Sequence, residues 1–252
     1  MYESYLKNGF CKLNVSFLNE RKFLFERELC LIINHLLIKE APNFFKVETL
    51  DIFLDDLYPK LRITHPNLAS KIYDVVTRMV SFQHIFQAPE LLKKFEELFL
   101  NDSNIAFALT NYQLYLQSPL DETNINGVHQ DSSYFGTMCS PNNSFVLWMP
   151  FRNVDKDSGA IEVIRGSHKN GLLPHLQNTI ENRKSGKRNT KGFNYLDSNF
   201  YNENEFESVD CSSEEAIIMN FNLIHRSGLN TSTRTRMVLL SRFSNIYSPD
   251  YF

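Results

Sequence analysis

The feature of the sequence that most constrains the fold is a change of pattern near residue 102. Before it, apolar side chains recur at helical spacing over residues 19–40, 66–80 and 89–100. Pro66 and Pro89 stand where two of these helices would begin. After it come short β-forming runs between turn residues, at 105–116, 144–151, 160–164, 215–221 and 237–243. Helices followed by many short strands predict an α+β arrangement whose β part is a sandwich or jelly roll.

Length and composition are those of one soluble domain. A chain of 252 residues with 21 Phe and 11 Tyr can bury a core without disulfides. The net charge of -3 does not indicate a nucleic-acid or membrane partner, and the most apolar stretch, residues 29–38, is too short to cross a bilayer. The 4 cysteines are widely spaced, which argues against a zinc ribbon. We therefore expect one cytoplasmic domain over residues 1–252, mostly helical over 1–101 and β-rich over 102–252.

Residues 171–210 have no clear strand pattern. They include a run of positive residues without an acid: Arg183, Lys184, Lys187, Arg188 and Lys191. Long loops in compact domains are usually functional, so we expect a mobile lid here, with a solvated loop as the alternative. His168 lies just before this segment and is expected to be structural, whereas His175 is a candidate for lining a pocket.

The first chemical signal is the sequence His129-Gln130-Asp131. Side chains at i and i+2 of an extended chain point to the same side, so an imidazole and a carboxylate can reach one ion. His225 follows the apolar run 216–219 and is the best candidate for a third ligand. Two histidines and one carboxylate form the facial triad of non-haem Fe(II) oxygenases. Taken singly, each residue has an ordinary alternative as a turn aspartate or a strand-end histidine.

The residues that follow His225 add a second signal. Arg236 enters an apolar strand, and a buried arginine needs an anionic partner. A dicarboxylate co-substrate can supply that anion through a paired guanidinium–carboxylate contact. Ser227 can donate a further hydrogen bond to the same carboxylate. Arg234, two residues earlier, is the alternative arginine.

Three motifs then carry a resemblance to a known family. They are VHQDSSYF (128–135), VLWMPFRNVDKDSGAIEVIRGSHKNG (146–171) and HRSGLNTSTRTR (225–236). As an ordered set they resemble the phytanoyl-CoA dioxygenase family, whose members bind iron and 2-oxoglutarate. The resemblance implies an α+β fold with a mainly β core. That core is a double-stranded β-helix, or jelly roll, and the N-terminal helical region braces one of its sheets.

The resemblance also implies a role for particular residues. The expected iron ligands are His129, Asp131 and His225. The far carboxylate of 2-oxoglutarate would be held by Arg236 and Ser227, and the co-substrate pocket would include Gln113 and Trp148. Two positions depart from the family pattern: Gln117 stands where Lys is frequent, and Arg226 where Gly is usual.

The activity implied is that of an Fe(II)- and 2-oxoglutarate-dependent dioxygenase. It would use O2 to hydroxylate an unactivated carbon of a small metabolite and release succinate and CO2. Asp131 favours hydroxylation over halogenation, because related halogenases have a small residue there. Arg226 and the basic run indicate an anionic substrate, and the oligomeric state is left open. Two alternatives are a cupin-like metal enzyme that does not use 2-oxoglutarate and a non-catalytic jelly-roll binding module.

Overall fold

The structure is a computed structural model that describes residues 1–99, 106–121, 125–135, 144–177 and 194–247. Residues 1–99 are largely helical, as the apolar spacing predicts. The helices are α1 (Tyr2–Asn8), α2 (Asn19–Glu40), α3 (Leu50–Ile52), α4 (Tyr58–Thr64), α5 (Pro66–Val76), α6 (Val80–Phe86) and α7 (Pro89–Leu98). A π-helical turn, Phe53–Leu57, joins α3 to α4. Among the described helices, none is both long and apolar enough to cross a membrane.

The β part consists of antiparallel strands and one short helix, α8 (Ser132–Phe135). The strands are β1 (Phe10–Asn14), β2 (Phe107–Gln117), β3 (Ser144–Pro150), β4 (Ile161–Ile164), β5 (His175–Gln177), β6 (Asn194–Leu196), β7 (Phe206–Val209), β8 (Glu215–Asn220), β9 (His225–Ser227) and β10 (Arg236–Asn245). They form a five-stranded sheet in the order β1-β8-β3-β10-β2, a three-stranded sheet β7-β4-β9, and the pair β5-β6. An antiparallel bridge between His129 and His225 adds the segment at residue 129 to the edge of the three-stranded sheet.

The two faces of β10 show how the layers are arranged. Met237, Leu239 and Phe243 belong to the core cluster that contains the helices. Val238 and Leu240 alternate with them and belong to a second cluster, which includes residues of β4 and β7. The five-stranded sheet therefore packs against the helices on one face and encloses the jelly-roll interior on the other. This confirms the predicted fold, with the helical region bracing one sheet.

Some strands lie where the sequence pattern did not predict them. Residues 10–14 form β1, which pairs with β8 at the edge of the five-stranded sheet. Within residues 171–210, β5 pairs with β6, and β7 joins β4 in the three-stranded sheet. The basic run that motivated the lid, residues 183–191, lies outside the described residues.

Candidate metal centre and co-substrate site

The side chains of His129, Asp131 and His225 converge on one point. One potential ligand atom of each lies within 4.8 Å of the others, and all three side chains are buried. Nε2 of His225 is 3.4 Å from Oδ2 of Asp131. Two backbone hydrogen bonds between His129 and His225, of 3.0 and 3.1 Å, hold the two histidines side by side. The antiparallel bridge thus unites ligands that are far apart in the sequence.

Both histidines present the same nitrogen to this point. Nδ1 of His129 lies 2.7 Å from the carbonyl oxygen of Gly127, and Nδ1 of His225 lies 2.9 Å from that of Leu223. Because a carbonyl only accepts, each Nδ1 carries a hydrogen, which leaves Nε2 as the ring nitrogen that can bind a metal. Burial, together with the nearby His225, lowers the pKa of His129 to about 3. Neutral imidazoles oriented by their second nitrogen are typical of metal-binding histidines.

The two oxygens of Asp131 have different surroundings. Oδ1 accepts a 2.6 Å hydrogen bond from Nε of Arg242. Oδ2 is buried and has no hydrogen-bond partner among the described residues. Burial alone would raise the pKa of Asp131, but the adjacent guanidinium of Arg242 outweighs burial and holds that pKa well below its usual range. An ionised, buried oxygen without a donor is costly, and a divalent cation between it and the two Nε2 atoms would remove that cost.

Arg236 also has a buried polar atom that the described residues leave without a partner. It is 5% exposed and donates from Nη1 to the carbonyl of Gly159, while its Nε has no partner among the described residues. Burial lowers the pKa of its guanidinium to about 10. Arg234, by contrast, is exposed and lies 3.4 Å from both Asp51 and Asp55. Of the two arginines, Arg236 is therefore the one that fits a carboxylate from a ligand.

Gln113 and Trp148 lie in one layer of the interior. Both pair with Leu240 of β10, from opposite sides. Trp148 is buried, whereas Oε1 of Gln113 accepts hydrogen bonds from Nη1 of Arg242 at 2.7 Å and from the hydroxyl of Tyr115 at 3.0 Å. The carbonyl end of Gln113 is thus already occupied, and its amide nitrogen is the group left for a ligand.

Ser227 and Gln117 lie towards the Arg236 end. Ser227 pairs with Ile161 in the three-stranded sheet, and its Oγ accepts a 3.2 Å hydrogen bond from the backbone of Asn126. Its hydroxyl hydrogen stays available for donation. Gln117 is the cross-strand partner of Arg236 and is 1% exposed. It places a neutral amide where the family often has a lysine.

Gln130 and His175 have structural roles that the sequence did not show. Gln130 is fully buried; its amide donates to the carbonyls of Gly171 at 2.8 Å and Asn222 at 2.6 Å, and its Oε1 accepts from the backbone of Leu173 at 2.8 Å. Nε2 of His175 accepts from the Gln130 backbone at 3.1 Å, while its Nδ1 donates to Leu173. Both ring nitrogens of His175 are therefore engaged in holding the segment between the two ligands.

Arg226 does not supply the free positive charge expected from the sequence. Its Nε and Nη1 each lie 2.5 Å from a glutamate, Glu162 and Glu203 respectively. Its guanidinium also lies 4.1 Å from the centre of the Phe206 ring. Alternation along β9 directs it away from the side shared by His225 and Ser227. Arg226 is thus no basis for expecting an anionic substrate.

Arg242 is the residue of the site that sequence reasoning missed. It follows Arg236, Val238 and Leu240 on the interior face of β10 and is 6% exposed. A signal for it was present, since alternation from Arg236 puts a second charged side chain on the same face of β10 as Val238 and Leu240. A buried arginine in that position needs a buried carboxylate, and Asp131 provides it.

Comparison with known proteins agrees with this geometry. The sequence model of the phytanoyl-CoA dioxygenase family, PhyH, matches residues 67–238. The peroxisomal phytanoyl-CoA dioxygenase of Mus musculus is 29% identical over 178 residues, which cover 64% of this chain and 50% of that protein. The phytanoyl-CoA dioxygenase domain-containing protein 1 homolog of Dictyostelium discoideum is 27% identical over 109 residues, covering 43% of this chain and 37% of its own length. The chain thus spans about half the length, or less, of these curated relatives.

Solved structures show the same fold at low sequence identity. The non-heme monooxygenase ThoJ superimposes with a TM-score of 0.61 at 15% identity, over 99% of this chain and 79% of its own. EvdO2 from Micromonospora carbonacea var. aurantiaca, complexed with 2-oxoglutarate, has a TM-score of 0.53 at 16% identity, over 98% and 92% of the two chains. The family match covers more than half of the chain and includes all three residues of the triad. The chain therefore belongs to the phytanoyl-CoA dioxygenase family.

Proposed function

We propose that this chain is an Fe(II)- and 2-oxoglutarate-dependent dioxygenase that hydroxylates a small molecule. The observation that carries the proposal is a pair of unsatisfied groups in one interior. Oδ2 of Asp131 faces the two histidines without a donor among the described residues, and Nε of Arg236 is buried likewise without an acceptor. A metal ion would satisfy Oδ2 of Asp131, and a carboxylate of a dicarboxylate would satisfy Nε of Arg236. An enzyme that binds a metal ion together with a dicarboxylate co-substrate would pair the metal with Asp131 and the carboxylate with Arg236.

Each part of the site then has a defined task. His129, Asp131 and His225 would hold the iron and leave positions open on its other side. Arg236 and Ser227 would bind the far carboxylate of 2-oxoglutarate, and Trp148 would cover the co-substrate with an apolar surface. When bound, the iron supplies the activation of O2 and the oxidative decarboxylation of 2-oxoglutarate. The chain itself orients the co-substrate and excludes water from the interior.

Asp131 favours hydroxylation among the reactions open to such a site. A carboxylate ligand occupies the position that a halide needs. Epimerisation is known for the fold, since the epimerase SnoN, solved with Fe3+, alpha ketoglutarate and nogalamycin RO, has a TM-score of 0.56 at 14% identity. A similarity at that level concerns the fold alone. Labelling with ¹⁸O2 separates the two outcomes, because hydroxylation incorporates one oxygen atom into the product and epimerisation incorporates none.

The first test is binding without turnover. Under anaerobic conditions, Fe(II) followed by 2-oxoglutarate should produce the visible charge-transfer absorption of a chelated keto acid. Arg236→Leu should shift that titration to higher 2-oxoglutarate concentration, and Asp131→Ala should remove the absorption. With O2 admitted, succinate should form in proportion to the 2-oxoglutarate consumed, and faster when a substrate from a metabolite library is present.

The same experiment separates the alternative functions. A protein that binds Fe(II) but gives no absorption change with 2-oxoglutarate would be a cupin-like metal enzyme that uses another chemistry. One that binds neither would be a jelly-roll binding module with an unused triad. Either result would overturn the proposed activity.

A further inference from the structure

We propose that Arg242 is a positioning residue that restricts Asp131 to binding a metal through a single oxygen. The inference rests on the proposed function only in taking the triad to be a metal site. It concerns a side chain that contacts Asp131 through Oδ1, the oxygen other than the one near His225. It predicts how many coordination positions on a bound metal the protein would leave open.

The contact between the two side chains is short, buried and directional. Nε of Arg242 lies 2.6 Å from Oδ1 of Asp131, and the residues are 6% and 1% exposed. The other oxygen, Oδ2, is the one near Nε2 of His225, at 3.4 Å. Arg242 therefore binds the oxygen that would otherwise rotate towards the metal as a second donor.

Arg242 is itself held in place from two further sides. Its Nη1 donates to Oε1 of Gln113 at 2.7 Å, and that oxygen also accepts from the Tyr115 hydroxyl at 3.0 Å. Its guanidinium lies 4.8 Å from the ring centre of Phe135, which follows the ligand segment in α8. A guanidinium fixed by a hydrogen bond and an aromatic ring has little freedom to release the carboxylate. Gln113 thus supports Arg242 in the absence of any ligand.

The consequence concerns the open side of the metal. A carboxylate with both oxygens free can bind a divalent ion in a bidentate manner and so take an extra coordination position. With Oδ1 engaged by Arg242, Asp131 contributes one position. With the two histidines, the protein would then occupy three positions on a bound metal, and the others would be left for a chelating co-substrate and for O2. Residues that orient metal ligands in this way typically change metal affinity about 10- to 100-fold when they are replaced.

The test uses Co(II) alone, whose visible spectrum reports coordination number and whose binding needs no turnover. Arg242→Gln should weaken Co(II) binding about 10- to 100-fold and should shift the spectrum. Arg242→Lys keeps the charge without the forked donors and should give an intermediate affinity. Arg234→Gln is the matched control, because Arg234 is exposed and lies outside the site, and it should bind Co(II) as the wild type does.

A second background distinguishes positioning from general support of the fold. In Asp131→Asn protein, where the anionic ligand is absent, Arg242→Gln should cause little further loss of Co(II) affinity. An equal loss in both backgrounds, or wild-type affinity and spectrum in Arg242→Gln, would overturn the inference. If Arg242→Gln does not fold, the test uses Arg242→Lys instead. Wild-type Co(II) affinity and a wild-type spectrum in Arg242→Lys would then overturn the inference. Wild-type protein that binds Co(II), but forms no succinate when supplied instead with Fe(II), 2-oxoglutarate, O2 and the substrate library, would refute the proposed function without affecting this comparison.

Discussion

Arg236 and Arg242 point from the same face of β10 into the jelly-roll interior, and of the two only Arg242 has a carboxylate partner among the described residues. Arg242 is neutralised by Asp131, whereas Arg236 is buried with an unpartnered Nε. The strand therefore carries one arginine paired with Asp131 and another that, under the proposed function, would bind a ligand from solution. This division predicts that the two arginines respond differently to replacement.

Arg236→Leu should have opposite effects on stability and on binding. Removing an uncompensated buried charge should raise the free energy of unfolding of the apo protein, and Tm should rise by roughly 2–4 °C for each kcal/mol gained. The same change removes a charge-assisted contact to 2-oxoglutarate worth about 1.5–3 kcal/mol, which is roughly a 10- to over 100-fold loss of affinity. Thermal unfolding with and without 2-oxoglutarate, in the presence of Co(II), measures both effects.

Arg234→Leu is the control for that experiment. Arg234 is exposed and lies at 3.4 Å from Asp51 and Asp55, so its loss should change Tm little and leave the 2-oxoglutarate shift unaltered. The assignment of the co-substrate arginine would be wrong if Arg234→Leu, rather than Arg236→Leu, abolished that shift.

The sequence predicted the fold well where the periodic pattern was strong. α2 was expected over residues 19–40 and spans Asn19–Glu40, because a long run of apolar side chains at helical spacing determines both type and length. β1 and β9 were missed because they are only a few residues long, and their pairing with β8 and β4 depends on partners distant in the chain. Such strands are set by tertiary pairing more than by local preference.

The site was predictable to the extent that its residues lie in ordered motifs. His129, Asp131 and His225 were identified from spacing and resemblance, and the structure brings them together. Arg242 and Gln130 were not identified, because their roles are hydrogen bonds to groups far away in sequence, such as Asp131 or the carbonyl of Gly171. Arg226 was misread as a free charge for the same reason, since Glu162 and Glu203 become its neighbours only after folding.

Arg226→Ala should therefore alter stability and leave catalysis nearly unchanged. Its two partly exposed ion pairs and its contact with Phe206 together contribute roughly 0.5–2 kcal/mol, so Tm should fall by a few degrees at most. Once a substrate is found, its KM should keep the same dependence on salt. A KM that rises severalfold, and only at low ionic strength, would show that Arg226 attracts an anionic substrate after all.

Gln130→Ala should weaken metal binding although the residue is not a ligand. Its side chain satisfies the buried carbonyl of Asn222, the partly buried carbonyl of Gly171 and the backbone N–H of Leu173, and leaving a buried group unpaired costs about 1–3 kcal/mol. Those contacts tie the backbone between His129 and Asp131 to residues 171–173 and to Asn222. We expect a lower Tm, together with a Co(II) affinity reduced even at temperatures where the variant is fully folded. A variant of low Tm but wild-type Co(II) affinity would limit Gln130 to a structural role.

Asp131→Ala should destabilise the apo protein as well as remove a ligand. From the sequence alone this change is expected to leave the fold intact, but Arg242 would keep its buried position without a compensating charge. Breaking a buried pair on one side costs about 3–5 kcal/mol, so apo Asp131→Ala should unfold at a clearly lower temperature than wild type. Replacing both partners, as in Asp131→Ala/Arg242→Met, should recover much of that stability, because an apolar pair of similar size avoids the desolvation of two charges.

Stabilisation by metal should distinguish the wild type from both Asp131→Ala and Asp131→Ala/Arg242→Met. Co(II) at 100 times its Kd should stabilise the wild-type protein by about 2.7 kcal/mol, since it binds the folded state alone. Neither the single nor the double variant should show that increase at the same concentration, because both lack the oxygen that faces His225. Stability recovered without metal binding would show that the Asp131–Arg242 pair is kept for the site and not for the fold. If the double variant stays as unstable as Asp131→Ala, the pair contributes packing that methionine cannot replace, and the charge-based account of the destabilisation fails.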